Sequence, residues 1–104
     1  MCRLYVGADP GLYQSRARSL RLHGMVTSVR LENQFWEILE RMAEEEHTAS
    51  SRLIASLHDE LLAHRGAVEN FASFLRVCCI RFEERRLKAL APLEQEHARA
   101  AQRA

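Results

Sequence analysis

No apolar run in this chain approaches the roughly 18 residues that a bilayer-spanning helix needs, so no membrane partner is expected. The three cysteines are an odd number, two of them are adjacent (Cys78 and Cys79), and none shows C-x-x-C spacing. That is no disulfide framework, and it fits a reducing compartment. The opening residues, Met1 to Pro10, contain too short an apolar stretch for a secretion signal and meet Asp9 and Pro10 early, so the expected location is the cytoplasm. The five histidines are scattered, with no H-x-x-x-H pair. Adjacent helical residues point about 100° apart, so Cys78 and Cys79 are poorly placed to grip one ion together. No metal or cofactor is expected. A nucleophile elbow, a phosphate-binding loop, a dinucleotide fingerprint and a paired-carboxylate site are all missing, and the reading is that the chain is not an enzyme. No internal repeat is visible.

What remains is an ordinary globular composition, 47% hydrophobic and 28% charged over 104 residues, enough for one domain and a tail. The net charge of +1 alone predicts no nucleic-acid partner, but its distribution is uneven. Residues 1–31 hold five arginines against Asp9, for +4; residues 32–64 hold two basic and eight acidic residues, for −6; residues 65–104 hold eight basic and five acidic, for +3. A basic segment ahead of an acidic one suggests two faces with different tasks.

The organising stretch is Met25 to Leu31. Met25, Thr27, Val29 and Leu31 fall on one side and Val26, Ser28 and Arg30 on the other, the alternation of a half-buried strand. One such strand is not stable alone, and the rest of the chain reads as helix, so the expected partner is the same strand of a second chain. Before it, Leu4-Tyr5-Val6 suggests a short strand, Asp9-Pro10-Gly11 a turn, and residues 12–18 a helical turn or an arm. Ser19 to His23 alternates as well, but with Leu20 and Leu22 out of phase with the strand from Met25, a conflict that Gly24 can absorb as a bulge or as part of a turn.

From Asn33 the period becomes helical. Phe35, Ile38, Leu39 and Met42 form a stripe that should end near Glu46-His47. Thr48-Ala49-Ser50-Ser51 reads as the capping segment of a second helix, which carries Leu53, Ile54, Leu57, Leu61 and Leu62 and stops at His64-Arg65-Gly66. Asn70 can cap a third helix with Phe71, Phe74, Leu75, Cys78 and Phe82 on one stripe. Its unbroken run from Val77 to Ile80 suggests cover on more than one side, hence an interface. Residues 83–104 form a charged, Ala-rich tail, partly helical or frayed, in which Pro92 should break or kink any helix.

The order strand, helix, polar turn, helix resembles the ribbon-helix-helix proteins of the Arc/MetJ type. Closer still are Arg18-Ser19-Leu20-Arg21-Leu22-His23-Gly24, Thr27 to Glu32, Phe35-Trp36, the opening Met1-Cys2-Arg3-Leu4 with Asp9-Pro10, and Asn70 to Cys79, which look like small bacterial regulators of that family. The resemblance implies a mainly α fold with one short strand. Two chains would form a homodimer around an intermolecular antiparallel two-stranded ribbon, with a C-terminal helix added. On that reading residues 1–18 are an N-terminal segment and 19–82 the ribbon-helix-helix domain. It further implies a sequence-specific, double-stranded-DNA-binding transcriptional regulator whose ribbon enters the major groove. By position the base readers are Val26, Ser28 and Arg30, Arg30 being the strongest because a guanidinium can bond guanine O6 and N7 together. Val26 departs from the usual polar residue there. Arg18, Arg21, Thr48, Ser50 and Ser51 become phosphate contacts. The implied dimer core is Val29, Leu31, Phe35, Leu39, Leu53, Leu57, Phe74 and Cys78, and Trp36 and Phe71 join the same aromatic cluster. Two other classes stay open: a dimeric protein-interaction module that keeps the fold without DNA, and a thiol or metal sensor.

Overall fold

The structure is a computed structural model that describes residues 2–103. Two short helices, α1 (Cys2–Val6) and α2 (Pro10–Tyr13), precede strands β1 (Ser15–Leu22) and β2 (Met25–Glu32). Three longer helices come next: α3 (Asn33–Glu45), α4 (Ser50–Arg65) and α5 (Phe71–Arg103).

The expected strand from Met25 is β2, and within the chain it already has a neighbour that the sequence reading did not pair with it. β1 of the same chain runs antiparallel beside it, from Ser15↔Glu32 at the open end to Leu22↔Met25 at the tip. The cause is the turn. His23 and Gly24 both adopt positive φ, 50° and 80°, the pattern of a two-residue type I′ turn whose twist suits a hairpin. Folding back there also resolves the phase conflict. Leu20 lies opposite Thr27 and Leu22 opposite Met25, so both leucines share a face with Val29 and Leu31, and all four are buried.

That inner face rests on the helices, β1 against α4 and β2 against α5, with α3 touching β2, α4 and α5. Leu31, Trp36, Leu39, Ile54, Leu75 and Cys79 have almost no solvent exposure, each large side chain contributing about 1.5–3 kcal/mol by leaving water. Trp36 donates its indole N–H to the Arg16 carbonyl at 3.0 Å, which ties α3 to β1. The open end of the hairpin is held by Asn33, whose amide donates to the Gly11 carbonyl at 2.9 Å and whose backbone N–H donates to the Gln14 carbonyl at 2.8 Å.

Several local expectations change. Leu4-Tyr5-Val6 lies in helix α1, not in a strand. Asp9-Pro10-Gly11 starts α2, with Pro10 in the first turn, where its missing N–H costs nothing, and with the Asp9 carboxylate accepting from the Gly11 N–H. Residues 15–18 belong to β1, so the ribbon begins before residue 19. Ala49, not a hydroxyl residue, is the N-cap of α4, and no side chain caps it. Gly66 ends α4 in the left-handed conformation, φ 78°, as a helix-terminal glycine should. Asn70 caps α5, its side-chain oxygen accepting from the Ser73 N–H. Helix α5 runs through position 92 to Arg103 without the expected break.

Candidate nucleic-acid interface

The pleat sorts the hairpin into two faces. Opposite the buried leucines, the outer face carries the cross-strand pairs Ala17↔Arg30, Ser19↔Ser28 and Arg21↔Val26, and begins with Ser15↔Glu32. All of these residues except Glu32 are exposed. Val26, Ser28 and Arg30 therefore lie together on one solvent-facing surface, as their alternation implied. Arg30 donates to the Ser15 hydroxyl at 3.3 Å. Glu32 turns aside, its carboxylate accepting from Arg76 of α5 at 2.9 Å. This bond holds its pKa below the ordinary carboxylate value. Among the described residues, the outer face thus presents two arginines and no unpaired carboxylate.

The residues expected at phosphates divide. Arg21 is exposed on the outer face across from Val26, one pair from the turn. Ser51 is exposed and Thr48 half-buried beside the uncapped start of α4. Arg18 and Ser50 make contacts within the chain. Arg18 sits on the inner face, where its guanidinium lies 4.9 Å from the Trp36 ring centre and donates to Ser50 Oγ at 3.3 Å and to Glu40 at 3.4 Å. The Ser50 hydroxyl is buried and donates to Glu40. These two side chains are occupied with one another, which ties β1 to α3 and α4. Nothing in an alternation count marks this, because it needs the hairpin to bring Arg18 over Trp36.

The residues expected at a dimer core divide as well. Val29, Leu31 and Leu39 are buried within the single chain, as is Trp36. Phe35, Leu53, Leu57, Phe74 and Cys78 are only half-buried. On α5 the buried line passes through Leu75 and Cys79, while Val77 and Ile80, expected to be covered, are each 51% exposed. An open apolar groove between α3, α4 and α5 is lined by Met42, Leu53, Leu57, Cys78 and Phe82. Its rim carries Glu45, which accepts from Arg85 at 2.6 Å.

The cysteines are separated in environment. Cys2 is exposed, Cys78 half-buried and Cys79 buried. Burial pushes the Cys79 thiol up to about 12 and raises Cys78 in the same direction, so both stay protonated at neutral pH. Among the described residues, no group of three or more His, Cys, Asp or Glu side chains gathers to hold an ion, and no helix is long and apolar enough to cross a membrane.

Comparison with known proteins places this geometry. No curated protein matches the chain. A solved structure, that of an uncharacterized protein from Bordetella pertussis Tohama I, is 46% identical and superposes with a TM-score of 0.84 over 88% of this chain and 74% of that one. The family model for the ribbon-helix-helix domain matches residues 15–82, from the first residue of β1 to the last half-buried phenylalanine of α5. The chain belongs to the ribbon-helix-helix family.

Proposed function

We propose that this protein is a sequence-specific DNA-binding transcriptional regulator of the cytoplasm that lays its ribbon in the major groove. The observation that carries the reading is the outer hairpin face, where Arg30 and Ser28 are exposed and no free carboxylate stands between them. A two-stranded ribbon about 5 Å between strand axes fits a groove about 12 Å wide. Arg30 is the principal reader, Ser28 donates or accepts, and Val26 meets a thymine methyl. The free amides at the start of α4, with Ser51 and Thr48, are placed to take a phosphate oxygen.

The working unit is a homodimer. Support comes from the apolar groove of Met42, Leu53, Leu57, Cys78 and Phe82 and from the exposed Val77 and Ile80, more greasy surface than a chain this short leaves in water without reason. The same surfaces would serve any higher assembly on DNA.

A mobility shift on the DNA upstream of its own gene tests the proposal. Binding should fall steeply with salt, because phosphate contacts release counterions. Arg30→Ala should lose most of the sequence preference while the dimer persists in sedimentation. Preference unchanged by Arg30→Ala would remove Arg30 as the reader.

A second reading, a protein-interaction module on the same fold, is favoured by the hairpin tip, where Met25 and Val26 are 72% and 67% exposed. Failure of the purified dimer to retain any duplex at low salt would favour it. The thiol-sensor reading is disfavoured by the protonated, buried Cys79.

A further inference from the structure

Helix α1 is formed but has no packing partner in its own chain. Isolated helices shorter than about 12–15 residues are marginal in water, so a five-residue helix ordinarily depends on tertiary contact. Yet no residue of α1 is buried, and Leu4, Tyr5 and Val6 are 76%, 68% and 77% exposed. Its end is specified by Gly7, whose N–H donates to the Arg3 carbonyl at 3.1 Å and at which a Cβ would stand 2.7 Å from that oxygen. Cys2, Tyr5 and Val6 recur at i, i+3 and i+4 and share one face, with Leu4 on its flank. We infer that α1 of one chain docks in the apolar groove between α3, α4 and α5 of a second copy, and that the exchange is reciprocal. The inference rests on the homodimer read above and names the segment that fills its groove.

The groove matches this occupant in size, reach and charge. Lined by Met42, Leu53, Leu57, Cys78 and Phe82, it encloses about 270 Å³. That is below the roughly 300–1,000 Å³ of small-molecule pockets and suits a few side chains of a short helix. In its own chain α1 stands elsewhere. Gly11 is tied to Asn33 at the start of α3, whereas the groove takes Met42 and Glu45 from the last turns of that helix, about 14 Å or farther along the axis at 1.5 Å per residue. At the rim Arg85 engages Glu45, which leaves Glu46 and Arg81 without an ion-pair partner among the described residues. Arg3, exposed and equally unpaired, complements Glu46. Arg81 complements the carbonyl end of α1, the negative end of its dipole. Together the two charges set the direction in which α1 lies. The apolar lining of the groove and the apolar face of α1 leave water in one contact, which neither achieves within its own chain. A two-fold exchange closes on itself, so two arms fill two grooves.

The experiment mixes two full-length variants, Cys78→Ala and Cys2→Ala, lets them exchange, and oxidises them with copper phenanthroline. In that mixture a Cys2–Cys78 disulfide can only join two chains, and peptide mass mapping should find it as the main cross-link. In parallel, a chain lacking residues 2–7 should keep its folded far-ultraviolet circular dichroism, since no buried residue is lost. Its dimer dissociation constant in sedimentation should rise by about a hundredfold. Leu4→Asp, which removes no backbone, should raise it by about tenfold. Cross-links confined to Cys2–Cys2, with a truncated chain that dimerises as the full chain does, would overturn the inference and leave the homodimer standing. A Cys2–Cys78 bond that forms within the wild-type chain but never in the mixture would make the docking intramolecular and overturn the exchange. A full chain that sediments as a single subunit at micromolar concentration would overturn both the inference and the homodimer.

Discussion

Arg18 is the sharpest test of how the hairpin is fixed to the helices. The family resemblance implies a phosphate contact for it; its contacts within the chain are those of an anchor. Its side chain is 27% exposed, lies over the Trp36 ring at 4.9 Å, and donates to Ser50 Oγ and Glu40. Arg18→Ala removes a partly desolvated cation–π contact worth about 0.5–1 kcal/mol. It also removes a hydrogen bond to a buried hydroxyl worth about 1 kcal/mol. The ion pair to Glu40 adds little, because Glu40 is 51% exposed and such pairs contribute about 0–1 kcal/mol. The total is about 2 kcal/mol. With an unfolding entropy of about 2.1 cal/mol/K per residue, a chain of this length should melt about 10 °C lower. The assay is thermal unfolding by circular dichroism at fixed protein concentration, since dimerisation would make the midpoint concentration-dependent. The slope of DNA affinity against salt should not change. A variant that melts at the wild-type temperature, with a salt slope lower by about one, would refute the anchor and restore the phosphate role.

Other expectations are independent of DNA. Gly24→Ala should destabilise by about 1 kcal/mol through left-handed backbone strain alone, because φ is 80° and a Cβ there meets nothing within 4 Å; Gly24→Asn should cost less, and urea unfolding of the pair checks both. Glu32 has its folded pKa depressed by Arg76, so its contribution is present above the unfolded carboxylate pKa and is lost as pH falls through the folded one. The difference in stability between the wild type and Glu32→Gln should therefore be present at pH 7 and shrink below about pH 4, as read from denaturant midpoints across pH. Toward a thiol reagent at pH 8, Cys2 should react at once and Cys79 only after unfolding, since its thiol is buried and pushed up to about 12; rapid modification of Cys79 in the folded protein, seen by peptide mapping, would contradict its placement.

Period carried most of the helical part of this fold into view. The stripe of Phe35, Ile38, Leu39 and Met42 located α3, Gly66 located the end of α4, and Asn70 located the start of α5, because each rests on a local rule of spacing or capping. What local rules could not supply was a partner. A strand's own residues state that it needs a neighbour, not where the neighbour comes from. The out-of-phase Leu20 and Leu22 were the available signal for an intrachain one, since two strands joined by a two-residue turn must show their apolar residues in opposite phase when counted straight through the turn. The same limit applies on α5. A stripe centred on Cys78 and one centred on Leu75 and Cys79 differ by less than a turn of helix, and only packing against β2 and α3 selects between them.

The turn at His23-Gly24 also decides the chemistry of the outer face. Strand pairing has a side-chain period of two, so moving the register by one residue sends each side chain of a strand to the other face. With the observed turn, Leu20 and Leu22 go inward to join Val29 and Leu31, and Ser19 and Arg21 go outward beside Ser28 and Val26. Shifted by one residue, β1 would expose two leucines and bury an arginine against the core, a loss that no contact of Arg21 could offset. The hydrophobic demand of the inner face therefore fixes which β1 residues are exposed on the outer one. A buried inner face and an exposed outer face share the same eight-residue strand without conflict, because alternate residues belong to each.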